Sequence, residues 1–152
     1  MPRAMSEAER EAFLADTHIG VVSVAAGAGR APLTTPVWYA YEPGGTITFF
    51  TGTGGRRARK SPLIEREGVV TFLVQQETLP YKYVAVEGTV VGTERPPAAA
   101  LLLAVVRRYL PEEMAQGFVR QELERPTGLS GLVAYRVRPD RWRTADFSPE
   151  AG

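Results

Sequence analysis

The segment from Thr51 to Lys60 contains the residue types that bind a phosphate group. A glycine-rich stretch at 52–55 comes directly before four cationic side chains, which are Arg56, Arg57, Arg59 and Lys60. Glycines let backbone N–H groups approach an anion closely, and arginine forms paired hydrogen bonds with phosphate oxygens. The hydroxyls of Thr51 and Thr53 can donate as well. The segment therefore predicts a phosphate site, and it lacks the Gly-Lys-Ser/Thr ending of a nucleoside-triphosphate loop.

Two other interpretations of this basic segment stay open. A run of cationic side chains is often only the solvated face of a helix. Such a run can also contact nucleic acid, but the chain has no second basic cluster interleaved with aromatic residues, and its formal net charge is only +1. We therefore expect no nucleic-acid partner.

A second candidate segment carries the aromatic side chains of Trp38 and Tyr39. Pro36, just before them, has no N–H and predicts an edge or a bulge in its strand. A wide aromatic side chain beside such an irregularity can form one wall of a site for a planar ligand. The alternative is that Trp38 and Tyr39 fill the interior of the fold or a dimer interface.

The segment Tyr81-Lys82-Tyr83 begins a long predicted strand. Lys82 can meet a phosphate or a ring carbonyl, although lysines also protect edge strands from pairing with other chains. His18 begins an earlier predicted strand, and we expect it to be a structural residue and not a general base.

The composition excludes several kinds of catalytic site. The chain has no cysteine and one histidine, so thiolate sites, cysteine nucleophiles and two-histidine metal sites are impossible. We therefore expect no metal and name no catalytic side chain. A bound cofactor would then supply the difficult chemistry, and the protein would supply binding and orientation.

Length and hydropathy predict one soluble domain over residues 1–152. The chain is 44% hydrophobic and 23% charged, which is ordinary for a globular protein. Its N-terminus has no apolar stretch of the kind found in secretion signals. The longest apolar run covers nine residues, 98–106, whereas a membrane helix needs roughly 20. We expect a cytoplasmic protein without membrane contact.

The elements that must position these residues are mostly strands. Ser6 and Glu9 have the spacing of a capping box, which predicts a helix to about Asp16. Ser61 is expected to cap a short helical turn that begins at Pro62. Alternation and turn residues predict strands at 18–26, 33–42, 46–51, 68–76, 81–92, 131–137 and 142–147, and further helices at 97–110 and 112–123. This pattern favours a small antiparallel barrel with a few flanking helices.

Taken in order, these segments resemble the pyridoxamine-phosphate-oxidase-like superfamily of flavin and deazaflavin oxidoreductases. The resemblance runs from about Glu7 to Phe147. It rests on HIGVVSV at 18–24, TPVWYAY at 35–41, ITFFT at 47–51, the basic cluster at 56–60 and VAVEGTV at 84–90. No one of these motifs is specific, but the ordered set with its spacing is.

The resemblance implies a mainly-β (α+β) fold, a six-stranded antiparallel split β-barrel with flanking helices. It implies a homodimer with a cofactor in each of two clefts between the subunits. The ring of the cofactor would lie along the second strand, its phosphate at the end of the third strand and in the basic segment, and the fifth strand would also reach it. The cofactor-binding residues are thus expected to be Pro36, Val37, Trp38, Tyr39, Thr51, Thr53, Arg56, Arg57, Lys60, Lys82 and Tyr83, with either Arg57 or Lys60 at the phosphate.

The implied function is an oxidoreductase that uses coenzyme F-420, a deazaflavin, or FMN to transfer hydride or electrons to a small organic acceptor. The four clustered cations and the phrase at 84–89 favour the deazaflavin. Residues 136–142 lack the substrate-binding ending of true pyridoxamine-phosphate oxidases, so vitamin B6 oxidation is not expected. The alternative is a non-enzymatic flavin- or haem-binding protein of the same fold, for which His18 is the one available histidine ligand.

Overall fold

The computed structural model of the protein describes residues 1–53 and 59–149, and it is mainly β. The described part contains four α-helices: α1 (Glu7–Ala15), α2 (Lys60–Glu67), α3 (Ala99–Val106) and α4 (Glu112–Leu123). Its seven strands are β1 (Gly20–Val24), β2 (Leu33–Val37), β3 (Tyr39–Ala40), β4 (Ile47–Gly52), β5 (Val69–Gln76), β6 (Lys82–Glu94) and β7 (Leu132–Asp146). Arg56 and Arg57 lie outside the described residues.

All seven strands form one antiparallel sheet in the order β2-β1-β5-β6-β7-β4-β3. The two edge strands, β2 and β3, are separated in the chain by Trp38 alone. The two edges of the sheet therefore meet at this residue, and the sheet closes on itself. The predicted strand at 33–42 is thus two strands, β2 and β3. The resemblance implied six strands, whereas the sheet has seven.

The last two predicted strands are in fact one continuous strand, β7. Its pairing with β6 shifts where Glu87 faces Arg141 but Gly88 faces Pro139. Such a bulge accommodates the proline, which cannot donate a ladder hydrogen bond. The proline therefore bends the strand without ending it.

Strict alternation builds the barrel interior. In β4, for example, Ile47, Phe49 and Thr51 are buried, whereas the residues between them are partly exposed. The same period of two along β5, β6 and β7 brings valines and aromatic rings together inside. At Gly20 the interior is packed so tightly that a Cβ atom would clash with the Phe72 ring.

Of the two helix N-caps predicted from the sequence, the structure confirms Ser6 and contradicts Ser61. The Ser6 hydroxyl accepts from the Glu9 N–H (3.2 Å) and the Glu9 carboxylate accepts from the Ser6 N–H (3.0 Å), which confirms the capping box of α1. The predicted Ser61 cap is wrong, because α2 begins at Lys60 and Ser61 is buried within its first turn. Pro62 is tolerated there because N–H groups of the first turn have no intrahelical acceptor.

Helices α3 and α4 pack against each other over the outer surface of the barrel. Leu102 and Val106 of α3 meet Ala115 and Val119 of α4, and Trp38 is packed against this group. The helix pair therefore covers the place where the sheet closes. None of the helices in residues 1–53 and 59–149 is long and apolar enough to span a membrane.

Two side chains that follow α3 bind the backbone at this closure. Arg108 donates to the carbonyl of Tyr39 and to those of Ala15 (3.0 Å) and Asp16 (3.1 Å) at the end of α1. The Tyr109 hydroxyl accepts from the Tyr39 N–H (3.1 Å) and donates to the carbonyl of His18 (2.7 Å). These contacts supply partners for backbone groups that no neighbouring strand reaches.

Arg108→Met should therefore lower the free energy of unfolding by about 2–3 kcal/mol, because it removes the charged donor from two part-buried hydrogen bonds and one exposed hydrogen bond to backbone carbonyls. Urea denaturation measures this loss. The matched control is Arg107→Met, which removes only an exposed ion pair with Glu112 and should cost less than about 1 kcal/mol. Equal losses in the two variants would contradict the assigned role of Arg108.

Candidate functional site

A pocket of about 510 Å³ opens beside the closure of the sheet. Its lining residues are Ile19, Pro36, Val37, Trp38, Phe50, Lys60 and Phe118, and we call it the Trp38 pocket. Its volume lies in the range of small-molecule sites, and its walls are apolar or aromatic except at Lys60. The chemistry of the pocket therefore suits a planar, mostly apolar ligand with one charged or polar edge.

Trp38 is held in a fixed orientation at this pocket. Its ring stacks on that of Tyr109, with centroids 5.0 Å apart and planes inclined by 6°. Phe118 approaches at 6.2 Å in a tilted arrangement. Because the Tyr109 hydroxyl is itself bound to the backbone of Tyr39 and His18, the indole rests on a rigid support.

Lys60 is the first residue of α2 and is half-buried. Burial lowers its pKa below the ordinary value, because a desolvated ammonium group is less stable than a hydrated one. No acidic residue of the described part of the chain lines the pocket. Lys60 is therefore placed to bind the anionic part of a ligand.

A second pocket, of about 630 Å³, adjoins the first along β2. It is lined by Ala26, Arg30, Ala31, Pro32, Leu33, Thr34, Arg59, Pro62 and Leu63, and we call it the arginine pocket. Thr34 here and Pro36 in the Trp38 pocket lie two positions apart on the exposed face of β2. Arg59 and Lys60 are consecutive and line one pocket each. Neighbouring residues of β2 and of the start of α2 thus line one aromatic pocket and one pocket that contains two arginines.

The structure brings together four of the predicted cofactor-binding residues: Pro36, Val37, Trp38 and Lys60. Tyr39 is not among them, because its side chain is fully buried and its hydroxyl donates to the Leu14 carbonyl at 2.6 Å. Burial raises the pKa of this hydroxyl well above its ordinary value. The alternative interpretation, that Tyr39 fills the interior, is the correct one for its side chain.

The two predicted threonines lie at the end of β4, outside the walls of the Trp38 pocket. Thr51 shares the interior face of β4 with Phe49, whereas Phe50 on the opposite face lines the pocket. The Thr53 N–H donates to the Gly131 carbonyl (2.9 Å), which fixes the chain where it enters the basic segment. Both threonines therefore stand next to that segment and not beside Trp38.

Lys82 and Tyr83 line neither pocket. Lys82 begins β6 opposite Gln76 and Asp146. The Tyr83 ring lies 6.2 Å from that of Tyr81. Within a single chain these two residues are thus separate from the Trp38 pocket, and a shared site would need a second copy.

His18 has a structural position, as expected. Its ring stacks on Phe13 with centroids 4.4 Å apart, and its Nε2–H donates to the Phe13 carbonyl at 2.9 Å. It lines neither pocket, so nothing in its surroundings favours haem ligation by this residue.

Four residues of the site were missed from sequence: Ile19, Phe50, Tyr109 and Phe118. Period-two alternation in β4 puts Phe49 and Phe50 on opposite faces, which signals that one of them lies outside the barrel. Tyr109 and Phe118 carry no comparable signal, because their role depends on how α3 and α4 dock on the sheet.

The interrupted antiparallel barrel places the chain in the class of split β-barrel proteins. Residues 6–144 match the family described as pyridoxamine 5'-phosphate oxidase, and the chain belongs to this family. The resemblance drawn from the ordered motifs is thereby confirmed.

Solved structures share the fold at low sequence identity. A protein named F420 reductase is 24% identical with a TM-score of 0.65, over 88% of this chain and 94% of that chain. A conserved hypothetical protein from Mycobacterium tuberculosis is 23% identical with a TM-score of 0.71, over 94% and 86%. An FAD-binding protein from Mesorhizobium loti is 20% identical with a TM-score of 0.62, over 96% and 98%. Comparison with curated proteins gave no significant match.

The burial of His18 predicts a pH dependence of stability. Its pKa in the folded chain is lowered below 6.5, chiefly by burial, so the unfolded chain binds the proton more readily. The free energy of unfolding should therefore be highest above pH 6.5 and should fall as the pH drops below it. Urea denaturation at pH 7.5, 6.5 and 5.5 measures this slope.

The matched variant is His18→Gln, which keeps a donor for the Phe13 carbonyl and does not titrate. Its stability should be nearly constant over the same pH range, because the chain has no other histidine. Carboxyl groups with lowered pKa values, such as that of Glu9 at about 2, titrate at lower pH. An unchanged slope in His18→Gln would show that another group carries the dependence.

Proposed function

We propose that the protein is an oxidoreductase that binds coenzyme F-420 or FMN and transfers hydride or electrons to a small organic acceptor. The observation that carries this proposal is the Trp38 pocket, in which aromatic walls meet a half-buried lysine beside the basic segment. The described residues offer no assembled set of acid, base and nucleophile in that pocket. The redox chemistry would come from the bound cofactor.

The residues present fit such a cofactor. Aromatic side chains at Trp38, Phe50 and Phe118 suit a planar ring. Arg59 and Lys60 suit a phosphate, and the sequence adds Arg56 and Arg57 immediately before them. In this arrangement Thr51 and Thr53 lie where the chain leaves β4 and enters the proposed phosphate site.

The chain's own residues would bind and orient the ring. Trp38, supported by Tyr109, would set the plane of the ring, because a rigid wall holds a ligand at lower entropic cost than a mobile one. Phe50 and Phe118 would exclude water from the reacting face. No side chain needs to form a covalent bond with the acceptor.

The arginine pocket favours the deazaflavin over FMN. FMN carries a single phosphate, whereas coenzyme F-420 adds a polyglutamate tail with several carboxylates. Arg30 and Arg59 offer cationic groups beyond the Trp38 pocket, where such a tail can extend. The similar fold of a protein named F420 reductase also supports this choice, and the FAD-binding protein supports a flavin.

A homodimer would complete the site. Lys82 and Tyr83 are separate from the Trp38 pocket within one chain, so their predicted contact with the cofactor requires a partner subunit. Exposed apolar side chains on the outer surface, such as Ile19 (52% exposed) and Val69 (56% exposed), are suited to burial against a second copy.

The proposed place of action is the cytoplasm.

Titration of the purified protein with coenzyme F-420 and separately with FMN, followed by ligand fluorescence, tests the proposal. We expect binding at micromolar concentration, tighter for coenzyme F-420. Arg56→Ala/Arg57→Ala should weaken it at least about tenfold, because charge-assisted hydrogen bonds contribute about 1.5–3 kcal/mol each.

The control for this experiment is Arg107→Ala, which removes a positive charge on α3's C-terminal side, outside both pockets. It should leave both affinities unchanged. If neither cofactor binds at micromolar concentration, the proposed function is wrong. Binding without turnover of any acceptor would instead support a non-enzymatic flavin-binding protein.

A further inference from the structure

The Trp38 pocket has one charged group in an otherwise uncharged wall. Of its seven lining residues, six are apolar or aromatic, and the seventh is Lys60. Lys60 also begins a helix, and the backbone N–H groups of the first helical turn have no intrahelical acceptor. Both features make this edge of the pocket electropositive.

The ammonium group of Lys60 has no anion to balance it within the described residues. None of the ion pairs found there involves Lys60. Folding has already removed part of the water around this ammonium group, and its pKa is lowered for that reason. A ligand anion that enters the pocket would therefore gain an attraction stronger than the same pair has in water.

The shape of the walls restricts which anions can benefit. Trp38 is fixed by its stack on Tyr109, and the rings of Phe50 and Phe118 contact each other in a tilted arrangement with centroids 6.3 Å apart. A flat aromatic ring makes extensive contact with such aromatic walls, whereas a small hydrated anion does not. The aromatic walls and Lys60 together therefore favour ligands that combine a flat ring with a negative charge.

We infer that Lys60 makes the Trp38 pocket selective for planar aromatic anions over neutral rings of the same shape. This ligand class is defined by the pocket itself. For the proposed function, on which this last step depends, the inference means that, with FMN as the cofactor, the reduced, anionic ring is held more tightly than the oxidised, neutral ring. Lys60 is then a specificity residue at the ring and not only a phosphate ligand.

Isothermal titration calorimetry with 2-naphthoate and 2-naphthamide tests the inference in the absence of cofactor. The two probes have the same ring system and differ in charge. At pH 7.5 the wild-type protein should bind 2-naphthoate roughly tenfold more tightly, since a half-buried ion pair exceeds an exposed one in strength. In Lys60→Met the two probes should bind with similar affinity, and Lys60→Arg should restore the preference.

Arg107→Met is the control, because it removes a cation from an exposed ion pair that lines neither pocket. It should keep the wild-type preference. Equal binding of the two probes by the wild type, binding of neither at millimolar concentration, or a preference that persists in Lys60→Met would each overturn the inference.

The outcome is distinguishable from failure of the proposed function. If the protein prefers 2-naphthoate through Lys60 but binds neither FMN nor coenzyme F-420, the role of Lys60 is supported and the proposed function is wrong. If the protein binds a cofactor but does not distinguish the two probes, the proposed function is supported and the inferred selectivity through Lys60 is wrong.

Discussion

The interruption of the sheet at Trp38 is the constraint on which the rest of the structure depends. Tyr39 directs its side chain into the barrel, and its edge backbone groups would be unpaired without Tyr109 and Arg108. Buried backbone groups without partners are costly, so the segment that follows α3 has to lie where it does. Arg108 also binds the end of α1, where a cation is favoured by the helix dipole. One short segment thus joins the first helix, the closure of the sheet and the helix pair.

The site follows from the same constraint. Since Tyr39 takes the interior position, Trp38 is left on the outer surface, and Tyr109 provides the ring on which it stacks. Helix α4 then brings Phe118 into tilted contact with the indole, and α2 begins with Lys60 at the same pocket. The aromatic walls and the cation come from four different parts of the chain, and the closure of the sheet is what assembles them.

Features set by neighbouring residues were predictable from the sequence, and features set by distant contacts were not. The capping box of α1 and the α4 range 112–123 needed only local spacing and were correct. Pro36 predicted an edge or a bulge in its strand, and β2 is an edge strand. The break at Trp38 itself was not predicted, because it depends on Arg108 and Tyr109, some 70 positions away. The same limit explains the error at Ser61: the start of α2 at Lys60 depends on how the helix packs and not on a local cap. Trp38 and Lys60 were identified, but Phe118 was not.

The proposed function requires that the ring of a flavin or deazaflavin lies against Trp38. The chain has two tryptophans, so Trp142→Phe leaves Trp38 as the sole source of tryptophan emission. The most direct measurement is this emission, excited selectively, while coenzyme F-420 or FMN is added to saturation. We predict strong quenching that saturates at one cofactor per chain. Saturable binding of cofactor that leaves the Trp38 emission unchanged would place the ring elsewhere and contradict the claim.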